Sequence, residues 1–293
     1  MPESPPRQAS TWNQLLQEAA PLLLPVSHDA PSSRLIERAG FKAYQVGGFA
    51  VIGARYGLPD IDLTHFAEKT GLVESIMAAS SLPVLVDCDD GYGDGKNVTH
   101  TVRSFARLGV AAIFIEDQQA PKKCGHMSGK KVIPPDEMVL KVKAAVAARE
   151  HGAPFVIART DAVEPNGLND ALKRAEQYLK AGADGIYVEG LEDEKALTKV
   201  GEAFKGTPLA TTILERGGKT PWQAPADFHA MGYTMLLYPT TVIFRATWAI
   251  QSALRDLKAG KPLDPGTSVD MAEFEDIVDL PYWADIEKRF TKQ

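Results

Sequence analysis

Apolar residues fall along this chain in short runs separated by longer amphipathic stretches. Runs rich in β-branched residues occupy positions 22–26, 43–46, 84–89, 111–116, 155–159, 185–189, 208–214 and 234–238. Each has strand length and is bounded by Gly, Pro or Asp. Between them the spacing turns helical. Val98, Val102 and Phe105 share one helical face, and so do Met138, Val142 and Ala145, after a Pro134-Pro135-Asp136-Glu137 start. Leu172, Ala175 and Leu179 make a third stripe, ended by Gly182. Eight strands alternating with helices predict a parallel sheet, and eight such units predict a closed (β/α)8 TIM-type barrel. An open doubly wound sheet is the runner-up. The barrel is favoured because no GxGxxG turn follows the first strand.

The ends of the chain divide from this body. Residues 1–12, rich in Pro, Ser and Gln, are expected to form a flexible tail, and residues 13–260 the barrel. A long helix near 241–259 stops at Gly260-Lys261-Pro262. Residues 261–293 form a C-terminal helical extension, with a helical segment near 270–290 whose apolar side chains need a surface to cover.

Composition narrows the class. In 293 residues, 44% are hydrophobic and 24% charged, a globular balance. The net charge of −6, without a long basic run, disfavours nucleic acid as a partner. No run of 18 apolar residues predicts a membrane span, and the start of the chain has no signal-peptide apolar core. Two cysteines cannot frame a disulfide scaffold, so a reduced cytoplasmic setting is expected.

The candidate chemistry lies at the strand ends. Side chains alternate along a strand, so Asp87 and Asp89 share a face. Later strands end in Glu116-Asp117, Arg159-Thr160-Asp161 and Glu189. In a barrel these ends converge on one mouth, where such a crowd of acids calls for a counter-charge. A hard divalent cation such as Mg²⁺ would supply it. Solvated acids and helix caps are the bland alternative, strongest for Asp90, Asp117 and Asp161.

The loop after the fourth strand, Lys122-Lys123-Cys124-Gly125-His126, is basic and flexible. Its neighbours are expected to lower the Cys124 thiol pKa, for nucleophilic or acid–base work beneath a closing lid. Gly47 and Gly48 after Tyr44 could offer backbone N–H groups to an anion. Arg159 could clamp a carboxylate, or pair with Glu189 or Asp161.

Taken together, Val86-Asp87-Cys88-Asp89-Asp90-Gly91-Tyr92-Gly93, Ile115-Glu116-Asp117-Gln118, Lys122-Lys123-Cys124-Gly125-His126 and Ala158-Arg159-Thr160-Asp161 resemble the isocitrate lyase and phosphoenolpyruvate mutase superfamily. The cysteine loop resembles its carbon–carbon lyase branch, which includes methylisocitrate lyase, 2,3-dimethylmalate lyase and oxaloacetate hydrolase. The resemblance implies a barrel using Mg²⁺ (or Mn²⁺), with its last helical segment swapped between subunits of a homo-oligomer, a dimer or tetramer. It implies Asp89 as the direct metal ligand, with Asp87, Glu116 and Asp60 holding metal-bound waters. Gly47, Gly48, Gly125, His126, Arg159, Glu189 and Thr212 would contact a small dicarboxylate. Tyr44 is the candidate base and Cys124 the acid that protonates a metal-bound enolate. The implied activity is carbon–carbon cleavage of a 2-hydroxy or 2-keto dicarboxylate. The alternative is a phosphonomutase of the phosphoenolpyruvate mutase or carboxyvinyl-carboxyphosphonate phosphorylmutase type, and a non-catalytic dicarboxylate-binding protein is a third.

Four positions depart from the lyase pattern. Val46 stands where a serine is frequent, Thr212 where an asparagine is common, Arg216 is an extra residue before Gly217, and Phe244 occupies the register of a substrate arginine that Arg245 adjoins. All four fall at the expected substrate end.

Overall fold

The computed structural model describes residues 12–149, 153–262, 264 and 266–291. Eight strands form its sheet: β1 (Leu22–Pro25), β2 (Tyr44–Val46), β3 (Val84–Asp87), β4 (Ala112–Glu116), β5 (Phe155–Thr160), β6 (Gly185–Val188), β7 (Leu209–Thr212) and β8 (Met235–Tyr238). All pairings are parallel, in the order β1-β8-β7-β6-β5-β4-β3-β2. A parallel bridge from Val26 to Gln45 joins β1 to β2 and closes the ring. This is the (β/α)8 barrel that the alternating pattern predicts.

The helices among the described residues are α1 (Trp12–Ala19), α2 (Ala30–Arg38), α3 (Gly48–Tyr56), α4 (Phe66–Ala78), α5 (Gly95–Leu108), α6 (Pro135–Ala148), α7 (Val163–Asn166), α8 (Leu168–Lys180), α9 (Glu194–Ala203), α10 (Pro225–Ala230), α11 (Thr241–Lys258), α12 (Met271–Ile277) and α13 (Leu280–Phe290). No described helix is long and apolar enough to cross a membrane.

Two cores follow from the two-residue period of the strands. Inward side chains, including Leu24, Leu85, Phe114, Ile157, Tyr187 and Leu237, fill the barrel with Trp12, Leu15 and Leu16 of α1. Outward ones, including Val84, Ile113, Val156 and Ile186, pack against the helices. The stripes predicted for α5 and α6 are buried as expected. In α8 the buried face is one position off the predicted stripe, at Ala171, Arg174, Ala175 and Tyr178, with Leu172 and Leu179 only partly buried. Residues 1–11 of the expected tail lie outside the described residues, whereas Trp12 is buried and opens α1.

The C-terminal extension is two helices, not one. Asp279 takes a left-handed φ of 67°, and Pro281 sits in the first turn of α13, so the chain breaks between α12 and α13. α12 touches α2 through Arg38 and Asp276, and Arg34 lies 3.3 Å from Asp279. α11, α12 and α13 have no fully buried residue.

Candidate active site

The inward register of each strand runs on into the barrel mouth. Leu85 leads to Asp87, Phe114 to Glu116, Ile157 to Arg159, Tyr187 to Glu189 and Ala210 to Thr212. Asp87, Phe114, Glu116, Arg159, Tyr187, Glu189 and Thr212 line one cavity of about 170 Å³, with Gln45, Gly47, Gly48, Asp60, Lys122, Cys124, Gly125 and His126. The space suits a small organic acid. The structure thus brings these side chains together around one cavity.

Tyr44 is the exception. It lies one residue out of register with Gln45, and is buried with Val51, Val73 and Ile76 in the layer between strand and helix. It does not line the cavity, so the base expected there is misplaced by the period of β2. Val46 faces the same helical layer, which removes that departure from the substrate end.

Of the four expected metal acids, Asp60, Asp87 and Glu116 line the cavity, and Asp89 lies beside them, paired with two lysines. Asp87 accepts from the backbone N–H groups of Asp89, at 3.0 Å, and Gly48, at 3.3 Å. Asp89 follows the end of β3 in a left-handed turn with φ 49°. Its Oδ2 pairs with Lys69 of α4, and its Oδ1 lies 2.7 Å from Lys122, which also pairs with Asp60. Burial raises the Asp89 pKa, but the two ammoniums outweigh it and hold the carboxyl well below the usual range. Glu116 shows the opposite balance: burial raises its pKa well above normal despite Arg159, whose Nε lies 3.2 Å away. Glu116 Oε1 is buried with no hydrogen-bond partner among the described residues.

Does this set fit a divalent cation? The donors are hard carboxylate oxygens, and Asp60, Asp87 and Glu116 face the cavity with an unsatisfied oxygen on Glu116, which is the chemistry such an ion requires. The set fits in kind. Among the described residues, however, no three His, Cys, Asp or Glu groups are gathered as a ready cage, and Lys69 and Lys122 engage Asp89. Neither lysine was singled out from the sequence. Lys69 could have been: it stands four residues before Val73 and seven before Ile76, on the buried stripe of α4.

On the other side of the cavity, Asp161 takes the bidentate face of Arg159 at 2.8 and 2.9 Å, the structural alternative for that guanidinium. The Arg159 guanidinium also lies 5.0 Å from the Tyr187 ring centre. The Tyr187 hydroxyl bridges Glu189 and Thr212, so Thr212 enters the site through a tyrosine that sequence reasoning passed over. Its signal was the inward parity it shares with Glu189. Burial raises the Glu189 pKa, but His126, Arg159 and Lys130 bring it down to about 2. Asp117, by contrast, is structural. It accepts from Tyr178 at 2.7 Å, Thr160 at 2.8 Å and the Asp161 N–H at 2.9 Å.

The cysteine loop lies folded over the mouth. Gln118 and Val132 bridge its ends, Lys130 donates to the Gly125 carbonyl, and Gly129 N–H donates to Glu164 at 2.6 Å. At Gly125, an added Cβ would meet Arg159 and come within 2.8 Å of Glu189 Cγ, so a side chain is excluded by contact. Cys124 lines the cavity, half-buried. The expectation of a lowered thiol pKa is reversed. Burial pushes it up to about 11, aided by Asp60 and Glu189, and the His126 N–H and Arg159 only partly offset this. Lys122, which was to stabilise a thiolate, is turned to Asp60 and Asp89 instead.

The cavity also has an apolar wall of Phe49, Leu214, Pro239 and Phe244, with the two phenylalanine rings 6.0 Å apart. Arg245 is exposed, 3.1 Å from Glu215, and does not line it. The register question therefore resolves with Phe244 at the cavity.

Comparison with known proteins gives a consistent result. Residues 13–258 match the family model described as phosphoenolpyruvate phosphomutase. A 2,3-dimethylmalate lyase of Eubacterium barkeri is 37% identical, over 96% of this chain and 98% of its own. A 2-methylisocitrate lyase of Bacillus subtilis is 38% identical, over 83% of this chain and 79% of its own. Among solved structures, an oxaloacetate acetylhydrolase in complex with the inhibitor 3,3-difluorooxalacetate superposes with a TM-score of 0.90 at 27% identity, covering 96% of each chain.

Proposed function

The chain belongs to the phosphoenolpyruvate phosphomutase family, within the isocitrate lyase superfamily of enzymes, and from that premise we propose that it is a carbon–carbon bond lyase. Its substrate is a 2-hydroxy dicarboxylate with an alkyl substituent, of the 2-alkylmalate type. The observation that carries this is the Cys124 thiol, which lines the same cavity as Asp87, Glu116 and Arg159 and is kept protonated by burial.

Members of this superfamily use a divalent metal. Asp87 and Glu116, with Asp60 beside them, would hold Mg²⁺ or Mn²⁺ here, and the ion would supply Lewis-acid polarisation of the substrate oxygens. The remaining work falls to the chain. Arg159 and Lys122 place positive charge beside the substrate carboxylates. The N-terminus of α3 at Gly47 and Gly48 turns backbone N–H groups toward the same space. The loop brings the Cys124 S–H to the cavity: as the C2–C3 bond breaks, the 2-hydroxyl proton would pass to a cavity carboxylate and the enolate would take its proton from that S–H. A thiol titrating near 11 is protonated at neutral pH, which suits a proton donor and disfavours a nucleophile.

Phe244 and its apolar neighbours support an alkyl-bearing substrate. A third carboxylate, as in methylisocitrate, would need a cation where this wall presents a ring. The test is a panel of 2-alkylmalates, methylisocitrate, oxaloacetate and phosphonopyruvate with Mg²⁺, read by 2-oxo acid formation for the hydroxy acids and by proton and phosphorus NMR of substrate loss for oxaloacetate and phosphonopyruvate. Turnover confined to phosphonopyruvate would move the assignment to the phosphonomutases.

The exposed apolar residues of α11, including Trp248, Ile250, Leu254 and Leu257, support assembly as a homo-oligomer. The two unpaired cysteines are consistent with the cytoplasm as its location.

A further inference from the structure

Lys69 is a charged residue on the otherwise apolar buried stripe of α4, with Val73, Ile76 and Met77. Its side chain is 3% exposed. An apolar residue would pack there without desolvating a charge. Instead the ammonium passes between Gly48 and the acids. Its Nζ lies 3.0 Å from where a Gly48 Cβ would stand and 5.7 Å from the Tyr92 ring centre, and it pairs with Asp89 Oδ2. Both oxygens of Asp89 thereby face an ammonium, since Lys122 Nζ lies 2.7 Å from the other, close enough for an ion pair but without hydrogen-bond geometry. The two cations differ in origin. Lys122 belongs to the loop between β4 and α6, whereas Lys69 belongs to helix α4.

We propose that Lys69 is a resident counter-cation for Asp89, competing with a divalent ion for that carboxylate and so weakening divalent-ion binding at the mouth. This rests on the assignment of these acids to a divalent cation. It follows that the ion is held chiefly through Asp87 and Glu116, which line the cavity, while Asp89 serves as an anchor for the two ammoniums. A carboxylate already neutralised on both oxygens offers a second cation little net attraction, and the ion must displace an ammonium to use it.

The test is Mn²⁺ binding to the full chain, measured by calorimetry and by electron paramagnetic resonance. Wild type is compared with Lys69→Met, Lys69→Gln and Lys69→Arg, with thermal melts to check folding. The two neutral variants should bind Mn²⁺ at least tenfold more tightly than wild type, and Lys69→Arg should bind as weakly as wild type. Equal or weaker affinity in a folded neutral variant would overturn the role of Lys69 and leave the metal assignment standing. Absence of Mn²⁺ binding in every form would overturn both. Failure of both neutral variants to fold would also count against it, because a purely structural ion pair would then explain the residue.

Discussion

The backbone N–H of Cys124 donates to the backbone carbonyl of Asp60 across 3.0 Å. The bond ties the thiol-bearing loop to one of the acids at the far side of the mouth. The cysteine loop is thus joined to the acid cluster at Asp60 twice, through this bond and through Lys122, which reaches Asp60 from the same loop.

If the thiol is the proton donor, Cys124→Ser should lower kcat by about 10²- to 10⁴-fold, the range of a lost general acid. The serine keeps the backbone bond to Asp60, so Mn²⁺ affinity should stay within about twofold of wild type. Steady-state kinetics beside a metal titration separates the two effects.

The raised thiol pKa makes a second prediction. The folded chain holds this proton more tightly than the unfolded chain, whose thiol titrates near 9.0. The associated stabilisation is therefore complete below about pH 9 and fades as pH rises through about 11. At pH 8 the folded protein should carry on the order of a hundredfold less Cys124 thiolate than an ordinary cysteine. Iodoacetamide labelling, followed by peptide mass spectrometry across pH 7–11, should show slow modification that rises only in the alkaline limb. A rate plateau by pH 8.5 would mean an activated thiolate.

Gly125→Ala places a methyl group against Arg159 and Glu189. The loop must then lift, or the guanidinium must leave Asp161. A displacement near 1 Å of catalytic groups costs on the order of 10²-fold in rate. We expect that loss in kcat, with a melting temperature little changed because Gly125 lies in a loop rather than a packed element.

Phe244→Ala should reduce kcat/KM for a 2-alkylmalate by about tenfold, the scale of a lost apolar contact in a pocket. It should leave an unsubstituted malate-type acid much less affected. The ratio of the two specificity constants is the readout, and an equal loss on both would assign Phe244 to general packing.

The apolar face of α11 predicts an assembled state in solution. Wild type should sediment as a multiple of the 31.7 kDa chain. A double substitution, Trp248→Asp with Leu254→Asp, should shift it to the monomer while the far-ultraviolet circular dichroism is retained. A wild-type monomer at micromolar concentration would remove the oligomer from the proposal.

The barrel was legible because its signal is periodic and local. Eight apolar runs set the strands, alternation put Asp87 and Asp89 on one face, and the convergence of strand ends in a barrel brought Glu116, Arg159 and Glu189 to the same mouth. Parity was not applied to β2, where it would have turned Tyr44 away from the cavity, nor to Tyr187, which it would have brought in. The reversed thiol pKa was beyond sequence reach for a different reason. Nearness along the chain put Lys122 beside Cys124, but the fold spends that charge on Asp60 and Asp89, which stand 62 and 33 residues before it, in pairings that only tertiary contact creates. The break at Asp279 was masked by apolar spacing that continues on both sides of it.

The central claim is best tested by running the reaction in D₂O. Wild type is incubated with Mg²⁺ and 2,3-dimethylmalate, and the products are read by mass spectrometry and proton NMR. Cleavage should yield a 2-oxo acid and a carboxylic acid carrying one deuterium on the carbon next to its carboxylate, with Cys124→Ser nearly silent. Unchanged turnover in Cys124→Ser, or no 2-oxo acid from any 2-alkylmalate alongside conversion of phosphonopyruvate to an enol phosphate, would contradict it.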